Sequence, residues 1–218
     1  HHAKDLIYHY NDLPPFSERT YEIGRRVALI GVGNVMADIA HWLVRDLHVD
    51  EVIAVARRGP AEVKFTRQEL AYVAANLDQD SLDHEIKRVS ERMEAVDQDP
   101  EAAKAFILSA LRKAPDSISE TRVQFRFLSA PSRILDDGTG AVGGLEVENT
   151  RLVRNDEGET KPERLGIVYV LDVDTVVFCI GDRVSAAFGL PVAWHSFVKN
   201  PEPRFPVDGV CFEAYDPD

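Results

Sequence analysis

The segment Val27-Ala28-Leu29-Ile30-Gly31-Val32-Gly33-Asn34-Val35-Met36 constrains the fold more than any other part of the chain. Four consecutive apolar residues leave no polar side for water, so they suit a strand covered on both faces, as in a parallel sheet. Two glycines one residue apart then make a tight turn, and from Asn34 the apolar residues Val35, Ile39, Ala40, Trp42, Leu43 and Leu47 recur at helical spacing. After Asp50-Glu51 a second continuous run, Val52-Ile53-Ala54-Val55-Ala56, completes a strand-helix-strand unit. Its length of about 30 residues is that of a parallel crossover.

Around this unit the periodicity predicts further helices. An amphipathic stretch with Leu6, Ile7 and Tyr10 closes at Pro14-Pro15, and residues 66 to 76 carry Leu70, Tyr72 and Val73. From Ser81 to Val96 the stripe Leu82, Ile86, Val89, Met93, Val96 marks one face, with Asp83, Glu85, Glu91 and Glu94 on the others. Asp99-Pro100-Glu101 combines an oxygen cap, a proline at the first helical position and a first-turn acid, so it starts a helix through Phe106, Ile107, Ala110 and Leu111 that Pro115 ends. The second half is strand-rich. Val123 to Leu128 alternates with period two, Asp136-Asp137-Gly138 is a turn, and Leu145 to Val153 alternates again, which reads as an antiparallel meander. Thr175 to Ile180 is apolar enough for a central strand and ends on Gly181. The fold expected is α/β, a Rossmann-like three-layer domain with a central parallel sheet and an antiparallel β meander.

Composition narrows the partners. The 218 residues are 44% hydrophobic, enough for a core, and 37 acidic against 25 basic residues give a formal charge of −12. Such a balance argues against nucleic acid or an anionic membrane as the main partner. No apolar run approaches the ~20 residues of a membrane span, and the N-terminus lacks a signal-peptide layout. Cys179 and Cys211 form no C-x-x-C pair and no Cys/His cluster, so neither a zinc site nor an iron-sulfur cluster is expected, and a cytoplasmic setting fits. The alternation at 210 to 215 stops short, which suggests a piece of a longer polypeptide. His84 and His195 join no catalytic constellation, and Tyr-x-x-x-Lys, G-x-x-x-x-G-K-[ST] and G-x-S-x-G motifs are absent.

The chemistry therefore centres on the glycine turn. Gly31 makes the bend, Gly33 lets the backbone approach a pyrophosphate, and Asn34 and Val35 open a helix whose free amides favour that anion; the third glycine of the dinucleotide fingerprint is replaced by Met36. The second strand ends in Arg57-Arg58-Gly59-Pro60, where a site for the unphosphorylated dinucleotide usually places an acid. Two guanidinium groups there can grip a 2'-phosphate, which points to NADP; the competing reading is a pair of solvated surface arginines. Glu69 lies near the expected cofactor edge, where a carboxylate could contact the ribose or carboxamide, although the pattern alone favours an exposed helical glutamate, and Gly181 at a strand end fits either a ligand crevice or a plain strand terminator. No catalytic residue and no metal ligand is assigned.

These residues bring a family into view. Gly31-Val32-Gly33-Asn34-Val35 with Asp38 and Ala40 resembles the NADP turn of the adrenodoxin-reductase type of ferredoxin-NADP reductase, and more loosely that of the glutamate synthase small subunit and its relatives. Ala56-Arg57-Arg58-Gly59-Pro60, continuing through Phe65-Thr66 to Glu69-Leu70, is similar to the family's segment of 2'-phosphate arginines and a glutamate near the nicotinamide. Phe125-Arg126-Phe127-Leu128 with Pro131 looks like the start of its β meander, and Tyr10-Asn11 with Pro14 like its linking helix, although His9 stands where a tryptophan is usual. The resemblance implies an NADP-binding domain inserted in an FAD domain, with 1-23 as the linking helix, 24-185 as the NADP-binding domain and 186-218 as a return segment that departs from the family pattern. It implies hydride transfer from NADPH to flavin. Electrons would then pass to ferredoxin or another iron-sulfur protein, and the isolated piece would bind NADP(H) without turnover. A non-catalytic NADP-sensing module and a free-standing NADP-dependent dehydrogenase are the alternatives.

Overall fold

The computed structural model describes residues 1 to 202 except 157, 182, 183, 194 and 195. His195, Cys211 and the alternation at 210 to 215 therefore lie outside the described residues. Two compact units divide the chain, His1–Ile180 and Gly181–Asp218.

In the first unit, α1 (Ala3–Tyr10) precedes β1 (Arg26–Ile30), α2 (Asn34–Trp42), β2 (Glu51–Val55), α3 (Arg67–Ala74), α4 (Gln79–Glu94), α5 (Pro100–Leu108) and β3 (Arg122–Arg126). The strands β4 (Ser129–Asp136), β5 (Val142–Arg154), β6 (Thr160–Leu171) and β7 (Thr175–Phe178) follow. A parallel sheet runs in the order β3-β2-β1-β7, and β4-β5-β6 form a separate antiparallel sheet. The unbroken apolar character of β1 and β2 follows from this stacking. Val27, Leu29, Val52 and Ala54 face the helices, while Ala28, Ile30, Ile53 and Val55 face Leu145, Val147 and Leu171 of the meander. Helices, parallel sheet and antiparallel sheet are thus the three layers, and a strand in the middle one has no wet side.

Local signals act where chemistry requires them. Asp99 accepts from the Ala102 amide at 3.0 Å and starts α5 behind Pro100. Leu82, Ile86, Val89 and Met93 of α4 are all buried. Three expectations change. The helix after the glycine turn does not run unbroken to Leu47; it passes into a single π-helical turn, Leu43–Leu47, and ends at His48 with φ 47°. The strand before Gly181 stops at Phe178, and Gly181, with φ 79°, opens the second unit.

The third change concerns Val123 to Leu128, which is not the start of the meander. Val123 and Phe125 pair in parallel with Val52 and Ala54, so this strand closes the edge of the parallel sheet. The chain leaves that sheet at Leu128, which is fully buried with φ 46°. Such a conformation in a bulky residue persists only when its surroundings fix it. Here the Leu128 amide donates to the Arg58 carbonyl at 3.1 Å, and its carbonyl accepts from the Thr150 amide at 2.8 Å.

Among the described residues of the second unit, Val192–Ala193 pairs antiparallel with Ser196–Phe197, and the Phe188 and Phe197 rings lie 5.4 Å apart. Among the described residues no helix is long and apolar enough to cross a membrane, and no cluster of three or more His, Cys, Asp or Glu residues could hold a metal ion.

Candidate functional site

β1 has its crossover partner β2 on one side and β7 on the other, so its carboxyl end lies at a topological switch point. Open parallel sheets present a crevice there, because the connections leave in opposite directions. The glycine turn occupies that end.

Gly31 adopts φ 119°, and a Cβ on it would lie 2.6 Å from the Cys179 carbonyl oxygen, so only glycine fits. Its amide donates to the Val55 carbonyl at 2.9 Å while the Cys179 amide donates to the Ile30 carbonyl at 2.9 Å, which fixes the bend between β2 and β7. The Cys179 thiol itself is pushed up to about 12 by burial and stays protonated. Gly33 has ordinary extended backbone and faces open space, where a Cβ would meet, among the described residues beyond its chain neighbours, only Lys64 Cβ at 3.9 Å. No side chain caps α2, and its first turn carries no acid. By contrast α3, α4 and α5 are capped by Thr66, Asp78 and Asp99. The start of α2, with Asn34 and Val35, thus combines an uncapped helix terminus with clear space above Gly33, a cradle that suits an anion.

The connection after β2 returns to this turn. The Lys64 amide donates to the Val32 carbonyl at 2.8 Å and the Thr66 amide to Asn34 Oδ1 at 2.8 Å, so residues 63 to 66 run alongside 32 to 34. Phe65 anchors the segment, buried against the rings of Phe106 and Phe125. Asn34, expected as a cofactor residue, therefore also ties the loop to the turn through its side-chain oxygen. Glu69 sits at the third position of α3, half-buried, its amide bonded to Thr66 Oγ1 at 3.2 Å.

The two arginines are not equivalent. Arg57 is exposed, and its guanidinium has no hydrogen bond or ion pair with any described residue. Arg58 Nη1 lies 2.8 Å from Glu62 Oε1, which also accepts from Thr160 Oγ1. The other Glu62 oxygen is buried without a described partner. Arg58 thus reaches any ligand only with its remaining N–H groups. The backbone of this segment is stitched down at every residue from 56 to 58. Ala56 bonds Arg126 and Ser129, the Arg57 carbonyl accepts from Thr150 Oγ1 at 2.8 Å, and the Arg58 carbonyl accepts from Leu128.

Residues 57 to 69 carry Arg57, Arg58, Lys64 and Arg67 against only Glu62 and Glu69, a basic excess in an acidic chain. Sequence reasoning passed over Lys64 and Glu62. The alternation Val63-Lys64-Phe65-Thr66 was the signal available, since it places Phe65 inward and Lys64 outward. Gly181 belongs to the second unit, and Asp182 lies outside the described residues. A separate hollow of about 650 Å³ is lined by Asp78, His84, Arg88, Arg126, Asn149 and Tyr169, away from the glycine turn. Its Arg88 is already bonded to Glu85 and Asn149.

No family model matches the chain. The NADPH-ferredoxin reductase FprA of Mycobacterium leprae is 28% identical over 211 residues, which cover 87% of this chain and 46% of that protein. The probable ferredoxin/ferredoxin–NADP reductase of Mycobacterium bovis is 31% identical over 173 residues, 68% of this chain and 29% of that protein. Among solved structures, Mycobacterium tuberculosis FprA in complex with NADPH matches with a TM-score of 0.65 at 26% identity, over 88% of this chain and 47% of that one. A second structure of the same oxidoreductase gives a TM-score of 0.68 at 25% identity over 91% and 49%. The chain thus spans under half the length of these relatives, and the resemblance to the adrenodoxin-reductase type stands beside them. In sequence and in fold, the chain is a homologue of the FprA-type ferredoxin–NADP reductases.

Proposed function

We propose that this chain is the NADP(H)-binding part of an FAD-dependent oxidoreductase that passes hydride from NADPH to flavin and electrons onward to ferredoxin or a similar acceptor. The observation that carries the reading is the glycine turn at the switch point, with an uncapped α2 above an open Gly33 and an exposed Arg57, without a partner among the described residues, just past the end of the neighbouring strand. The relatives support the nucleotide and acceptor parts of the reading, since they are named as NADPH- or NADP-dependent ferredoxin reductases, while the flavin part rests on the family resemblance of the sequence motifs. In this reading Gly31, Gly33, Asn34 and Val35 hold the diphosphate, Arg57 and the free edge of Arg58 take the 2'-phosphate, and Glu69 faces the nicotinamide side. NADPH when bound supplies the hydride; this chain's own residues bind and orient it.

The domain reading follows from the same proposal. Residues 1-23 lead in from an FAD domain of the same polypeptide, 24-185 hold the nucleotide, and 186-218 lead back. A cytoplasmic site of action fits this chemistry.

Calorimetry of the 218-residue chain with NADPH and NADH tests the cofactor assignment. A charge-assisted contact contributes about 1.5 to 3 kcal/mol, so Arg57→Ala is expected to weaken NADPH binding about 30-fold and leave NADH unchanged. Equal affinities of the unaltered chain for the two nucleotides would remove NADP specificity from the proposal. Steady NADPH consumption with small carbonyl compounds and no flavin would instead favour a free-standing dehydrogenase.

A further inference from the structure

We infer that Lys64 is a further binding residue of this site, its ammonium closing over the dinucleotide's diphosphate from the side opposite the start of α2. The inference rests on the dinucleotide reading above and adds a cation that the glycine fingerprint does not contain.

The geometry is specific to this position. Lys64 forms a parallel bridge with Gly33, and paired residues of adjacent extended segments send their side chains the same way. Apart from Gly33's own chain neighbours, its Cβ is the one heavy atom among the described residues within 4 Å of where a Cβ on Gly33 would stand, so the lysine stem borders the clear space through which a diphosphate reaches the glycine backbone. Phe65, buried between Phe106 and Phe125, fixes which way the segment faces and puts Lys64 outward. Two backbone bonds, from Lys64 to Val32 and from Thr66 to Asn34, hold the stem's origin in place. The side chain is exposed, and its ammonium has no hydrogen bond or ion pair with any described residue. A flexible four-carbon stem carrying a strongly hydrated charge can swing over the anion and need not be preformed around it. Neither neighbouring acid competes, since Glu62 is engaged with Arg58 and Thr160, and Glu69 lies on α3 beyond Thr66.

The diphosphate is common to NADPH and NADH, which separates Lys64 from Arg57. Lys64→Met keeps the stem and removes the charge, and it is expected to weaken both nucleotides by the same factor, about tenfold at low ionic strength. Lys64→Arg should restore most of the affinity, and the loss should shrink as salt screens the contact. Isothermal titration of the 218-residue chain and the two variants reads all three. Unchanged affinity of Lys64→Met for NADPH, with the unaltered chain binding normally, overturns the inference and leaves the dinucleotide reading standing. Weakening confined to NADPH overturns it too, since Lys64 would then read the 2'-phosphate. If the unaltered chain binds neither nucleotide, the dinucleotide reading fails and the inference falls with it.

Discussion

Replacing Glu85 with alanine is expected to destabilise the first unit by about 3 kcal/mol, roughly a 10 °C fall in Tm for a chain of this size. The side chain is 3% exposed although it belongs to α4, a helix rich in surface acids. Glu85 Oε1 accepts from the Phe127 amide at 2.6 Å and from Arg88 Nη2 at 2.7 Å, and Oε2 accepts from Arg88 Nε at 2.8 Å. Arg88 Nη2 also donates to the Phe127 carbonyl at 2.6 Å. The pair therefore clamps both polar groups of the residue just before the strained Leu128. Arg88 keeps 34% of its side chain exposed, so water takes up part of its charge when Glu85 is lost. What water cannot repair is the buried Phe127 amide, left without an acceptor beside a new cavity. Arg88→Ala is expected to be at least as damaging, because it leaves a buried carboxylate unpaired, whereas Glu85→Gln keeps an acceptor and should lose only about 1 to 2 kcal/mol. Urea unfolding of the three variants checks the order, and a Glu85→Ala protein within 0.5 kcal/mol of the parent would show that the clamp is dispensable. The clamp also bears on the proposed nucleotide site, since Leu128 and Ser129 bond the backbone of Arg58 and Ala56.

Glu85 marks where the sequence stops being legible. The stripe from Leu82 to Met93 named the buried face of α4 correctly, but hydrophobic periodicity cannot distinguish an acid facing water from one turned into a hydrogen-bonded crossing. The orientation of β3 was hidden for a related reason. A period-two pattern over Val123 to Leu128 shows that one face is covered, and it is the same pattern whether the partner runs parallel or antiparallel. That partner, β2, lies about seventy residues earlier, and no turn signal links the two. The glycine turn, by contrast, was readable because its demands are local. Steric freedom at Gly31, a buried strand before it and an amphipathic helix after it are all written within a few residues. The arginines fall between these cases. Their place at the end of β2 follows from strand length, but the capture of Arg58 by Glu62 depends on Thr160, ninety-eight residues away from Glu62, closing the arrangement from β6.

The two glycines of the turn should respond in opposite ways to the same substitution. Gly31→Ala is expected to destabilise the fold by about 3 kcal/mol, because a backbone conformation almost reserved for glycine is combined with a clash against backbone. The Cβ would stand 2.6 Å from the Cys179 carbonyl oxygen, and that carbonyl cannot withdraw without disturbing the end of the β1–β7 pairing. Gly33→Ala meets neither obstacle. Its φ of −112° suits any residue, and the added methyl finds, among the described residues beyond its chain neighbours, only Lys64 Cβ at 3.9 Å. Stability should therefore stay within about 0.5 kcal/mol of the parent, as for most substitutions that disturb no packing. Nucleotide binding is another matter, because the methyl would project into the space over which a diphosphate must lie to reach the amides of α2. Overpacking of that kind opposes binding by about 1 to 3 kcal/mol, a loss of tenfold or more for NADPH and NADH alike. Thermal unfolding and calorimetry on the two variants separate the roles. A Gly33→Ala protein that folds as well as the parent and binds NADPH just as tightly would mean that no diphosphate approaches this bend. The open space above Gly33 would then have to be explained without a nucleotide.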